Sequence, residues 1–431
     1  MFTCTTLPRL RSCASIRVTC RPGPDEAEVS RILNQDKGAY TRRGANGSGF
    51  EQYDGVRIAS NGPTEDFFVH GMFPSPLAGG GGGNWMAWGV FDGHAGSQTA
   101  EHLTKQLLPF VRHSLQDVTR SISPRVQESE NAPVEAVQSA IKNAFVALDD
   151  AIINGAIEAV RNDESYQDKV MKLAIGYAGS CALLSLFDPD TKTLHVACAG
   201  DSRAVLGRKG ADGTWETVPL SVDQTGANEA EIARINAEHP GEEGICKNGR
   251  MLGLMVTRAL GDGRWKWTNE FQKEVTSAYN APALNAKYPI KTPPYLIAEP
   301  VVTSTKINTE QPTFLIMASD GLWDRLSSEQ AVGLIIQWLD WRAKGKPLSQ
   351  GPEKQYAPFD LQRYSWETEN PIKFREERTT IQDDNAAVHL VRNALGGNNH
   401  EMVAGTLVFG PPFSRYVRDD ITVQVVIFKS Q

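Results

Sequence analysis

Four times along this chain an apolar run with the composition of a strand meets an acid. The first three are Phe91-Asp92-Gly93, Ala199-Gly200-Asp201 and Ser319-Asp320-Gly321. In the fourth the order inverts, and Asp419-Asp420 precedes Ile421–Phe428. Strand ends are where rigid scaffolds present functional groups. Any one Asp-Gly in that place is most simply a turn. Four around one apolar sheet need another account, because converging carboxylates repel one another unless cations sit between them. Hard oxygen ligands without Cys or His partners favour Mg²⁺ or Mn²⁺ over zinc. Two such ions about 3.5–4 Å apart form a clamp for phosphoryl chemistry, activating water and neutralising charge on the phosphoryl oxygens.

A chain of 431 residues is ample for a sizeable core. Its net charge of −7 argues against a general nucleic-acid binder, and so against a metal nuclease built on the same cation chemistry. No run of about 18 uncharged apolar residues occurs, so no transmembrane helix is expected. The six cysteines show no C-x-x-C spacing, which speaks against a zinc site and for a reducing compartment. Residues 1–24 carry Arg9, Arg11, Arg17 and Arg21 with several Ser and Thr and no acid before Asp25, the composition of a mitochondrial transit peptide. The alternative is a basic tail with no address and a cytosolic protein.

The remainder, 25–431, reads as a single domain. Strands are expected near 66–72 and 85–91, joined by a hairpin loop containing Gly79 to Gly83. Helices are expected over 97–112 and 133–153. In the second, Val134, Val137, Ile141, Phe145, Leu148 and Ile152 form one stripe, as a helical layer over a sheet requires. Strands at 180–187 and 194–199 flank the turn Asp188-Pro189-Asp190. A short helix is expected from Asn228 to Ala237 and a strand from Phe314 to Ala318. Ser327 and Gln330 form a capping box opening a helix through Leu339. Ile421 to Phe428 closes the domain. Residues 264–300 and 343–385, polar and proline-bearing, read as irregular insertions, and no internal repeat is found.

Three further features sit beside the acids. His94 follows the first acidic turn, where it could donate a proton to a leaving alkoxide; an ordinary half-buried histidine is the plain alternative. Gly93 leaves its carbonyl free to reach a metal-bound water. Asn61 to Asp66 is a turn with two acids before a strand, which alone suggests only a solvated turn.

Taken in order, these pieces resemble the protein phosphatase 2C family of metal-dependent serine/threonine phosphatases. The matching segments are Glu65-Asp66, Val90 to Gly96, Gly179-Ser180, Ala199 to Ala204, Thr257 to Asp262, Ala318 to Asp324 and Arg418 to Thr422. The resemblance implies an α+β fold, an antiparallel β-sandwich flanked by helices on both sides, α-β-β-α in four layers. It implies that Asp92, Asp320 and Asp419 ligate two Mg²⁺ or Mn²⁺ ions directly with the Gly93 carbonyl. Glu65 and Asp66 would act largely through bound waters, and Asp201 would serve a weaker third ion. His94 would be the general acid, water the nucleophile, and no phosphoenzyme would form.

Within the family the chain is most similar to the mitochondrial pyruvate dehydrogenase phosphatase branch. This rests on Asn61 four residues before Glu65, on Asn228 through Glu242, and on Lys266-Trp267 followed by Thr292 to Pro300. Many family members hold the substrate phosphate with an arginine where Asn61 stands. Without that bidentate clamp, phosphate must be held mainly by the metals. Two further departures are Gln224 after Asp223 and Asp420 after Asp419. The implied partner is a phosphoprotein, with the pyruvate dehydrogenase complex as the branch's candidate, and the implied location is the mitochondrial matrix.

Overall fold

The computed structural model describes residues 24–430 except 35–38, 46, 77–82, 122–131, 346–372 and 412. The transit-peptide segment through residue 23, Gly79 to Gly82 of the expected hairpin loop, and most of the 343–385 insertion therefore lie outside the described residues.

In chain order the strands are Tyr40–Arg43 (β1), Phe50–Ile58 (β2), Phe67–Pro74 (β3), Asn84–His94 (β4), Gly179–Asp188 (β5), Thr193–Ala199 (β6), Arg203–Lys209 (β7) and Trp215–Pro219 (β8). They continue with the short pairs Cys246–Lys247 (β9), Arg250–Met251 (β10) and Leu260–Gly261 (β11). Val301–Lys306 (β12), Thr313–Ala318 (β13) and Ile421–Phe428 (β14) complete the set. Two antiparallel sheets result, one ordered β1-β2-β14-β13-β7-β8 and the other β12-β6-β5-β4-β3, with β11 added beside β5. Every residue of β5, β6, β13 and β14 is buried. Such strands read as continuous apolar runs because both of their faces are covered.

One face of each sheet meets the other sheet. Trp88, Val90, Leu183 and Val196 pack there against Leu206, Leu315, Met317 and Val426. The helices Gln98–Ser121 (α2) and Ala132–Arg161 (α3) cover the outer face of the second sheet, where Leu103, Leu107, Phe145 and Leu148 meet Ala182 and Leu184. The outer face of the first sheet is covered by Ser328–Ala343 (α8) and Ala386–Ala394 (α9), through Leu334, Trp338 and Val391 against Ile316 and Val423. The chain is thus an antiparallel sandwich with helices on both sides, as expected. Among the described residues no helix is long and apolar enough to cross a membrane.

Expectation and structure differ in the strands, where β1, β2, β7, β8 and β12 are additional, and in the helices, where Glu26–Leu33 (α1) is additional. α2 runs to Ser121 with Pro109 inside it, and α3 runs to Arg161. The α3 stripe continues past Ile152 through the buried small residues Ala156 and Ala159, which apolar spacing of large residues does not reveal. Tyr166–Tyr177 (α4) opens at Ser165, whose hydroxyl accepts from Asp168 N, and Glu229–Glu238 (α5) is the expected short helix, capped by Asn228. Inside the segment expected to be irregular, Asn269–Tyr279 (α6) is a capped helix: Thr268 accepts from Phe271 N, and Phe271, Gln272 and Val275 are buried. The prolines that suggested irregularity all follow its last residue. The capping box at Ser327 and Gln330 is present.

Topology sets where the acids go. β4 and β6 both pair antiparallel with β5, so their C-terminal ends lie at the same end of that sheet. In the other sheet Ala318 of β13 is opposite Arg203 of β7 and Val423 of β14. Asp201 just before β7, Asp320 just after β13 and Asp419 just before β14 therefore share one end of the sandwich.

Trp88 is fully buried between the sheets, edge-on to Phe50 at 5.6 Å and Tyr53 at 5.7 Å, and its indole N–H has no hydrogen-bond partner. Trp88→Ala should cost about 3–5 kcal/mol in chemical denaturation. Trp88→Phe should cost markedly less, because no hydrogen bond is lost. Equal losses for the two would contradict this packing.

Candidate metal centre

Asp92 is the third-last residue of β4, opposite Cys181 of β5. Asp201 follows Gly200, whose φ is +123° and where an added Cβ would lie 2.4 Å from the Cys181 Sγ. Only glycine lets the chain leave β6 along that path. Asp320 opens the short helix Asp320–Trp323 (α7), and a Cβ on Gly321 would lie 2.0 Å from the Asp420 carbonyl oxygen. Two of the glycines that read as turn residues are thus demanded by close backbone approach around the acids.

These three side chains meet. Asp92, Asp201 and Asp320 each place a carboxylate oxygen within 4.8 Å of the others. Burial, and next the charge of Asp320, push the Asp92 carboxyl well above the usual range. Burial and then Asp201 push Asp320 up to about 8. Asp201 is likewise raised, chiefly by burial. The Asp92 Oδ2 is buried without a hydrogen-bond partner. Arg203, the nearest arginine in sequence to Asp201, is turned to Asp223, with Nη2 2.6 Å from Oδ2. A buried orphan carboxylate oxygen among further carboxylates is the donor set that a hard divalent cation fits.

A second set of acids braces the first. Asp66 is buried, and its Oδ2 accepts from the Ser319 hydroxyl at 2.7 Å. Burial and then Asp420 raise it to about 7. Glu65 Oε1 accepts from Gly96 N at 2.6 Å and Oε2 from Asn61 Nδ2 at 2.7 Å. Asp420, itself buried, accepts from Glu65 N at 2.7 Å, Asn61 N at 2.8 Å, Thr64 Oγ1 at 3.2 Å and also Ser60 N. It holds the loop that carries Glu65 and Asp66 against the start of β14. The sequence reading did not count Asp420 among the site residues, although the Asp-Asp doublet was its visible signal.

Three sequence-derived candidates have unexpected surroundings. The Asn61 amide donates to Glu65 and, at 3.2 Å, to Asp420 Oδ2, so it is engaged inside the loop. Gly93 has its own steric reason to be glycine: a Cβ there would lie 2.3 Å from the Glu65 carbonyl oxygen. Asp419 stands at the same end of the sandwich but is not one of the three gathered carboxylates. It pairs with Arg415, and its Oδ1 accepts from Asp420 N at 2.7 Å.

His94 ends β4, with its Nε2 2.6 Å from Asp262 Oδ2 and 28% of its side chain still exposed. Burial works against its charged form, but the adjacent Asp262 carboxylate more than offsets this, and its pKa lies above the usual value. Asp262 is fully buried in the left-handed region, with φ 54°, and its N–H donates to Ala178 O at 2.9 Å. A Cβ on Gly179 would strike both partners at 2.2 Å. Asp262 belonged to a recognised segment, yet nothing in the spacing connected it to a histidine 168 residues away.

Residues 64–351, well over half of the chain, match the sequence model of the family described as protein phosphatase 2C. A protein phosphatase 2C homologue of Schizosaccharomyces pombe is 40% identical over 409 residues, spanning 94% of this chain and 86% of the relative. The mitochondrial pyruvate dehydrogenase (acetyl-transferring) phosphatase 1 of Saccharomyces cerevisiae is 34% identical over 423 residues, spanning 94% and 73%. In fold, the chain is similar to the crystal structure of a serine-threonine phosphatase 2C from Toxoplasma gondii, with a TM-score of 0.51 at 20% identity over 88% of this chain and 95% of that one. The chain belongs to the protein phosphatase 2C family.

Proposed function

We propose that this protein phosphatase hydrolyses phosphoserine and phosphothreonine in proteins and depends on Mg²⁺ or Mn²⁺. The observation that carries the reading is the convergence of Asp92, Asp201 and Asp320 at one half-buried point. Asp92, Asp320 and Asp419, with the Gly93 carbonyl, would hold two ions directly, with Glu65 and Asp66 acting through water and Asp201 on a third. When bound, the ions supply positive charge that acidifies water and offsets charge on the phosphoryl oxygens. Asp419 would exchange Arg415 for a cation. His94, held by Asp262, keeps a proton to give to the leaving serine or threonine oxygen. Asn61 braces Glu65, leaving the substrate phosphate to the cations.

The family branch and the arginine-rich leader support a mitochondrial matrix enzyme acting on phosphorylated pyruvate dehydrogenase. The named yeast relative and a human pyruvate dehydrogenase phosphatase 2, 32% identical over 438 residues, point the same way. Fusing residues 1–40 to a fluorescent reporter should direct it to mitochondria. A diffuse cytosolic signal would remove the location from the proposal.

Asp92→Asn and Asp320→Asn should each lower kcat on a phosphoserine peptide and on phosphorylated pyruvate dehydrogenase by at least about 100-fold. Wild-type protein with Mn²⁺ that releases no phosphate from either substrate would sink the reading.

Electrostatics give a readout independent of activity. Asp66 and Asp320 titrate near 7 and 8 in the folded, cation-free protein, against roughly 4 when unfolded. Their folded pKa values are raised, so the stability they contribute is present below about pH 4 and is lost as pH rises through about 7–8. The Tm of chelator-treated protein should therefore fall between about pH 5 and pH 8. Excess Mn²⁺ should reverse the fall, because it binds the ionised carboxylates. A Tm indifferent to both pH and Mn²⁺ would mean that the acids do not form a cation site.

A further inference from the structure

Twelve large apolar side chains are exposed among the described residues, and four of them crowd between 408 and 416. Val408 is 58% exposed, Phe409 45%, Phe413 61% and Tyr416 71%. Single exposed apolar residues need no explanation, but a cluster signals a contact surface. Hydrogen bonds hold the backbone that carries Phe413 and Tyr416. Phe413 N and Ser414 N both donate to Gly410 O, at 3.0 and 3.1 Å, and Phe413–Tyr416 forms a 3₁₀ turn. Residues three apart eclipse in such a turn, so Phe413 and Tyr416 share one side. Ser414 between them is buried, and its hydroxyl donates to the Ser60 carbonyl.

The same segment packs against the loop that leads to the acidic centre. Arg418 donates to Ala59 O at 2.8 Å and to Phe409 O at 3.2 Å, and the Ser60 hydroxyl donates to Arg418 O at 2.8 Å. Arg415 pairs with Asp419, and Pro411 lies so close to Gly62 that a Cβ there would meet it at 2.8 Å. Whatever covers the apolar side chains therefore lies beside the loop that carries Glu65 and Asp66.

We propose that Val408, Phe409, Phe413 and Tyr416 form a docking edge for the polypeptide of the phosphoprotein substrate, receiving apolar side chains next to the phosphorylated residue. This rests on the phosphatase reading. Two observations favour a substrate chain as the occupant. The segment is hydrogen-bonded to Ala59 and Ser60, at the start of the loop that carries Glu65 and Asp66. Beyond the cations, this loop adds no grip on the phosphate, because the Asn61 amide is spent on Glu65 and Asp420. Short-range burial of apolar groups on the Phe413 and Tyr416 rings supplies affinity that the loop does not.

The test uses the full chain and its double variant Phe413→Ser/Tyr416→Ser, with Val408→Ser/Phe409→Ser as a second pair should the first unfold. The probes are two fluorescent phosphoserine peptides that differ only in their flanks, leucine and phenylalanine in one, glycine and serine in the other. Wild type should bind the apolar-flanked peptide about tenfold more tightly by anisotropy, and the variant should bring the two affinities together. The ratio of kcat/KM on that peptide to kcat/KM on para-nitrophenyl phosphate should fall by a similar factor in the variant. Equal affinities in wild type, or a preference that survives in the variant, would overturn the proposal. So would a wild-type dimer, seen by sedimentation, that the variant dissolves, since the surface would then join two copies. Peptide preference in binding without release of phosphate would uphold the docking edge and refute the phosphatase reading instead.

Discussion

Mutual repulsion among buried carboxylates is the constraint on which this structure turns. Asp92, Asp201 and Asp320 share a half-buried point, and the buried Asp66 adds its charge beside them. Left to themselves such groups protonate, or the site opens. A fold that keeps them together spends stability to do so. The rest of the molecule can be read as the framework that withstands that cost and the chemistry that makes it useful.

The framework has two parts. Three apolar layers, one between the sheets and one under each pair of helices, fix the strands from which the acids project. A polar hub then fixes the loop between β2 and β3. Asp420 collects the N–H groups of Ser60, Asn61 and Glu65, Arg418 holds the carbonyls of Ala59 and Phe409, and Ser319 joins Asp66 to Thr422 N. Partners nearly the whole chain length apart in sequence thus assemble one rigid rim. The same hub explains why a short turn before β14 can present aromatic side chains to solvent in a fixed position.

His94 and Asp262 show a similar division of labour. The histidine is near the acids because it follows Asp92 on one strand. Its protonation is governed by a carboxylate delivered from the far side of β5, through β11 and the tight approach at Gly179. Burial alone would have made this imidazole a poorer base, and the partner reverses the sign.

Much of this was legible in order and little of it in distance. The apolar strands, the stripe of α3, the Ser327 capping box and the acid at each strand end follow from local periodicity and turn chemistry, which depend on neighbours a few residues away. The motif order identified the family and with it the layered sandwich. Helix α6 was hidden because its neighbourhood is rich in proline, and α4 because only Leu173 and Gly176 of its residues are buried, too few to mark a stripe. The sequence alone determined that acids would stand at strand ends. The tertiary structure decided which ones meet. Asp201 joins Asp92 and Asp320, Asp419 turns to Arg415 four residues before it, Asn61 faces inward, and Asp420 and Asp262 become partners of groups far away in the chain. Local rules specify a side chain's type and the element that carries it; whether two carboxylates come within reach depends on register and sheet crossing, which arise only when the whole chain packs.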